Sequence, residues 1–142
     1  MKIEIKSWLS GSILFEGDFS CISEAVKAAV KSSADLSSAD LSYANLSYAD
    51  LSYADLRYAN LSYGKIKNSP RPFFQVSPLG ADARQLMAFD TDKGIFLITG
   101  CFSGSVAEFK AALNAKHGKN ATAKEYLLAL NLIENHFKIW SK

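Results

Sequence analysis

The chain has 142 residues, 49% of them hydrophobic and 21% charged, with a net charge of +2. That is the size and balance of one ordinary globular domain, and the charge is too small to imply a nucleic-acid surface by itself. No apolar run approaches the roughly 18 residues that a membrane span needs, the N-terminus lacks a signal peptide's apolar core, and Cys21 and Cys101 are isolated thiols, so a cytosolic protein without a disulfide framework is expected.

Residues 1–33 read as an N-terminal cap. Lys2-Ile3-Glu4-Ile5-Lys6 alternates with period two, Ser10-Gly11-Ser12 is a turn signal, and Ile13-Leu14-Phe15 is a second short strand, which together predict a β-hairpin. The period then changes. Ile22, Val26 and Val30, with Ala25 and Ala29, form one apolar helical stripe over residues 21–31, and Ser20 is the expected N-cap.

Residues 34–68 repeat one phrase seven times, from Ala34-Asp35-Leu36-Ser37-Ser38 to Gly64-Lys65-Ile66-Lys67-Asn68. A period of five fits neither a helix nor a strand. It fits a chain that turns a corner at every repeat, with one large and one small residue pointing inward. Leu36, Leu41, Leu46, Leu51, Leu56, Leu61 and Ile66 are the large set; Ala34, Ala39, Ala44, Ala49, Ala54, Ala59 and Gly64 are the small set. This segment resembles the pentapeptide-repeat family. The resemblance implies a right-handed square β-solenoid with four repeats per coil, in which Leu36 lies on Leu56, Leu41 on Leu61, Leu46 on Ile66, and Tyr43 stacks on Tyr63 outside. Seven repeats then make under two coils, too few to bury a core without caps or a second copy of the chain.

Residues 69–142 read as a C-terminal α+β region. Two prolines in Asn68-Ser69-Pro70-Arg71-Pro72 break the chain, residues 73–76 resume an extended run, and Pro78-Leu79-Gly80 signals a turn. Residues 84–89 and 95–99 are expected to pair as a hairpin through Thr91-Asp92-Lys93-Gly94. Two helices follow, each opened by a capping-box pattern, Ser105 with Glu108 and Thr122 with Glu125. Val106, Phe109 and Leu113 form the inner face of the first. In the second, Tyr126, Leu130, Ile133, Phe137 and Trp140 recur at four-three-four-three spacing, a stripe suited to a partner helix within the chain or to an oligomer seam. The expected fold class is thus mixed: a short β-solenoid capped by a hairpin and helix before it and by a hairpin and two helices after it.

Charge follows the same division. Residues 34–63 carry four Asp against one Arg, whereas residues 64–142 carry eleven Lys or Arg against six acids. An acidic repeat region followed by a basic tail favours head-to-tail contacts or an anionic partner. Gly100, Ser103, Gly104 and Ser105, at a glycine-rich joint before a helix, form a candidate phosphate-binding corner. Arg71, Arg84 and Lys93, in or beside the hairpin loops, are candidate anion contacts, with Phe73 and Phe74 near them in sequence. The bland alternatives are a tight turn, a helix cap and solvated loop charges. No P-loop lysine or dinucleotide fingerprint is present. Cys101 lacks an arranged base, Asp90 and Asp92 flank a turn where Asp is locally favoured, and two histidines without paired spacing make no metal site.

The whole chain is similar to small bacteriophage-encoded pentapeptide-repeat proteins, through "AVKAAVKSSADLS", "SPLG", "TDKG", "TGCFSGSVAEF", "HGKN" and "EYLLALNLI". Ala81-Asp82-Ala83-Arg84 departs from the Ser-Arg that usually follows the "PLG" turn in that family. The resemblance implies an accessory protein acting in the host cytoplasm. Together these readings favour a non-enzymatic, anti-defence oligomer that sequesters a small anionic, nucleotide-like host ligand, without a cofactor, membrane contact or sequence-specific nucleic-acid binding. The alternative is an interaction protein that inhibits a host enzyme through its repeat surface.

Overall fold

The computed structural model describes residues 1–42, 44, 46, 51, 54–100 and 102–140. Contacts divide the chain into two units, Met1–Asn68 with Thr91–Lys93, and Ser69–Asp90 with Gly94–Lys142.

In the first unit β1 (Lys2–Lys6) and β2 (Ile13–Asp18) form an antiparallel hairpin, with Ile5 fully buried. Helix α1 (Ile22–Lys31) follows and buries Ala25, Val26 and Ala29. Its N-cap is Cys21, not the expected Ser20. The hairpin runs into the repeats through a bridge between Ser7 and Ala39 and a bond from the Asp40 N–H to the Lys6 carbonyl (2.7 Å).

The repeats show why five residues recur. In each of four repeats an alanine N–H donates to the leucine carbonyl three residues earlier, as Ala39 to Leu36, Ala44 to Leu41, Ala54 to Leu51 and Ala59 to Leu56 (3.0–3.1 Å). Each bond closes a turn, so the chain changes direction once per repeat. The Asp or Asn before each leucine sets up that turn by accepting the N–H two residues on: Asp35 from Ser37, Asp40 from Ser42, Asp55 from Arg57 and Asn60 from Ser62. Only a short side-chain carbonyl oxygen is needed, which is why Asp and Asn interchange. The acidity of the repeats is therefore a by-product of turn chemistry.

Twenty residues form the stacking unit. Asp40 and Asn60 make a parallel bridge, the Ser62 hydroxyl donates to the Ser42 carbonyl (2.7 Å), and Ser38 and Tyr58 share the same left-handed backbone (φ 63° and 64°). Leu36, Leu41, Leu46, Leu51, Leu56, Leu61 and Ile66 are all buried, as are Ala39 and Ala59. Tyr43, expected to stack on Tyr63, lies outside the described residues. The last repeat meets the turn residues Thr91–Lys93: Ile66 bridges Thr91, and the Lys65 N–H donates to the Asp92 carboxylate (2.9 Å). Gly64 replaces alanine there because a Cβ would lie 2.7 Å from Asp92 Oδ1 and 2.8 Å from Thr91 Oγ1.

The second unit is a four-stranded antiparallel sheet in the order β3 (Phe73–Leu79), β4 (Arg84–Thr91), β5 (Gly94–Thr99) and β6 (Phe102–Ser105), followed by α2 (Val106–His117) and α3 (Ala121–Trp140). This corrects the expected single hairpin. Residues 73–79 pair with β4 through a bulge between Val76 and Leu79, so the turn falls at Gly80–Ala83, and the glycine-rich joint continues as a strand paired with β5. Leu86, Ala88 and Leu97 from the sheet meet Phe109 and Leu113 of α2 and Tyr126, Leu130, Ile133 and Phe137 of α3 in one core. The α3 stripe expected as an oligomer seam is thus covered within its own unit, and only Trp140 of that set stays partly exposed (39%). Leu128, Leu132 and Ile139 occupy the exposed face instead.

Candidate functional site

In the second unit the Gly80–Ala83 turn, the β5–β6 turn, the end of α2 and the start of α3 surround a cavity of about 390 Å³. Leu79, Phe102, Phe109, Leu113 and Tyr126 supply apolar and aromatic wall. Arg84, Lys116 and His117 bring three basic side chains to it, and Asp82, Thr99 and Thr122 add polar atoms.

Local chemistry fixes each wall. The β3–β4 turn is held by α3: the Gly80 N–H donates to Glu125 Oε1 (2.6 Å) and the Ala81 N–H to Thr122 Oγ1 (3.1 Å). Thr122 and Glu125, expected to cap their own helix, thus clasp another segment. Asn120 is the cap instead, its side-chain oxygen accepting the Ala123 N–H (2.9 Å). Arg84 Nε lies 3.7 Å from Asp82 Oδ2. The Arg84 guanidinium also packs on the backbone of Gly100, where an added Cβ would stand 2.0 Å from Nη1 and where φ is +53°. Glycine is required there for space as well as for backbone conformation. On the cavity wall the hydroxyls of Thr99 and Tyr126 approach to 3.4 Å.

Among the residues expected to bind an anion, Arg84 lines this cavity, and Gly100 packs against its guanidinium without lining the cavity itself. Arg71 does not line it; its guanidinium lies 5.4 Å over the Trp140 ring. Lys93 belongs to the first unit, where its carbonyl accepts the Tyr63 hydroxyl (3.2 Å). The expected phosphate corner is corrected. Ser103, Gly104 and Ser105 lie in β6, and the start of α2 is closed by a reciprocal capping box, in which Ser105 Oγ accepts the Glu108 N–H and Glu108 Oε1 accepts the Ser105 N–H. The Ser105 N–H, followed by its hydroxyl, holds the Glu108 carboxyl below its ordinary value. A carboxylate therefore already satisfies that helix end, where an incoming anion would meet like charge.

Lys116, His117, Phe102 and Thr122 were not singled out in the sequence as ligand contacts. The available signal was Lys116-His117-Gly118, basic residues in a last helical turn followed by a glycine stop, a short loop from Thr122. Of the other reactive candidates, Asp92 accepts the Lys65 N–H of the last repeat, and Cys101 lies outside the described residues. Among the described residues no group of three His, Cys, Asp or Glu side chains could hold a metal ion, and no helix is long and apolar enough to cross a membrane.

A short β-turned repeat region and an antiparallel sheet backed by two helices define the class of fold. Residues 33–69 match the model of the pentapeptide repeats in eight copies, so that segment is a run of pentapeptide repeats. Neither a curated protein nor a solved structure matches it.

Proposed function

We propose that the chain is a non-enzymatic binding module whose C-terminal unit sequesters a small anionic, nucleotide-like ligand. One observation carries this reading: Arg84, Lys116 and His117 converge on a cavity walled by Phe102, Phe109 and Tyr126. Guanidinium and ammonium groups pair with phosphate or carboxylate oxygens, and aromatic faces stack on planar rings. A cavity of about 390 Å³ falls within the roughly 300–1,000 Å³ of small-molecule sites. In this reading the repeats wind as a right-handed coil of under two turns and act as a scaffold. The resemblance to phage accessory proteins extends the role to anti-defence in a host cytoplasm, with a host nucleotide as the ligand and a homo-oligomer as the active form.

Native mass spectrometry of protein purified from cells with and without a nucleotide-based defence system tests this. A retained mass of nucleotide size is expected only from the former, and it disappears in an Arg84→Glu/Lys116→Glu double variant with an unchanged circular dichroism spectrum. Equal retention in that variant refutes the site. A protein that carries no small molecule but captures a host enzyme favours inhibition through the repeat surface instead.

A further inference from the structure

The cavity holds one group that an anion site would be expected to avoid. Asp82 sits beside Arg84, its Oδ2 3.7 Å from Nε, with side-chain exposures of 71% and 38%. Both residues belong to the clasped turn and the strand it opens, so the pair is presented to the cavity together. A bare anion that approaches the guanidinium meets the carboxylate at the same group and is repelled. A ligand with a hydroxyl beside its anionic head meets an acceptor instead, and the same carboxylate becomes an attraction. The aromatic walls add a requirement for a planar ring, and the neighbouring hydroxyls of Thr99 and Tyr126 offer that ring polar partners (3.4 Å apart).

Building on the reading of this cavity as an anion site, we propose that Asp82 is its specificity-determining residue and that the ligand class is a ribonucleotide. The ribose hydroxyls donate to Asp82, the phosphate meets Arg84 and Lys116, and the base lies against Phe102 and Phe109. Asp82 thereby discriminates against inorganic phosphate, simple carboxylates and sugar-deoxygenated nucleotides.

The test is isothermal titration of the full chain with the four ribonucleoside 5′-monophosphates, their 2′,3′-dideoxy counterparts and inorganic phosphate, repeated with Asp82→Ala. Asp82 is exposed in a turn, so the variant keeps the fold, which circular dichroism verifies. The best ribonucleotide is expected to bind the wild type at least about tenfold tighter than its dideoxy counterpart, since even one hydrogen bond to a charged group has that effect. In Asp82→Ala that ratio falls to near one, and inorganic phosphate gains affinity. Nucleotides that bind both proteins with an unchanged ratio overturn the role of Asp82 and leave the cavity reading standing. No binding of any nucleotide to either protein overturns both.

Discussion

If the repeats face two different residue sizes inward, opposite substitutions should do similar damage. Leu56 is 2% exposed and Ala59, three residues on and joined to it by the turn bond, is fully buried. Leu56→Ala removes three carbons from the core. At about 0.8 kcal/mol for each buried methylene the transfer loss is roughly 2.4 kcal/mol, and the cavity left behind raises the total to about 3–4 kcal/mol. Ala59→Leu adds the same carbons where no space exists and should lose about 1–3 kcal/mol by overpacking. A unit of Met1–Asn68 with Thr91–Lys93 has a total stability of about 4–10 kcal/mol at ordinary per-residue values, so both changes are large. The assay is urea denaturation followed by tryptophan fluorescence in a Trp140→Phe background. Trp8 then reports on this unit alone, because its indole N–H donates to the Tyr58 carbonyl (2.6 Å) within the repeats. Both variants should lower the midpoint with the slope unchanged. A midpoint unchanged or raised by Ala59→Leu would refute the inward packing of the small residues.

Three further outcomes test the other parts. His136 is buried, its ring stacked on Phe74 at 4.0 Å with Nε2 lacking a hydrogen-bond partner, and burial pushes its pKa below 6.5 despite a backbone bond to Arg71. The unfolded chain therefore binds the proton more readily, so His136 supports the second unit above about pH 6.5 and that support falls as pH drops toward the folded value. Trp140 fluorescence in a Trp8→Phe background should show this, and His136→Phe should flatten the dependence while losing about 1 kcal/mol at neutral pH with the Arg71 bond; an unchanged pH profile would count against it. Thr122→Ala and Glu125→Ala should each destabilise the second unit by about 1 kcal/mol and speed amide exchange at Gly80 and Ala81, whereas loss of protection at the α3 N-terminus alone would restore the capping-box role. Cys21 is exposed, and N–H bonds, foremost from Glu24, lower its pKa. Its alkylation at pH 7.5 should be faster in the folded protein than in urea, and the reverse order would show that the helix start does not stabilise the thiolate.

Much of the fold was legible because its signals are local. A β-turn and an Asx acceptor act within four residues, so the five-residue phrase predicts both the corners and the buried leucines that those bonds produce. The Ser105–Glu108 box is equally local and appears as read. The identical pattern at Thr122 and Glu125 misled, because nothing within their helix reveals that Gly80 and Ala81, over forty residues away, compete for the same oxygens. The glycine-rich joint misled for a related reason: glycine permits a loop, but pairing with β5 made it a strand.

By itself the sequence determined the repeat geometry, the helix stripes and the presence of basic residues in the second half. Only tertiary structure decided which basic residues share a cavity, leaving Arg71 on Trp140 and setting Arg84 against Gly100 opposite the end of α2. Periodicity encodes which face of an element is buried, since that depends on near neighbours along the chain. A site depends on which distant loops meet, and that is set by how sheet and helices pack once their faces are satisfied.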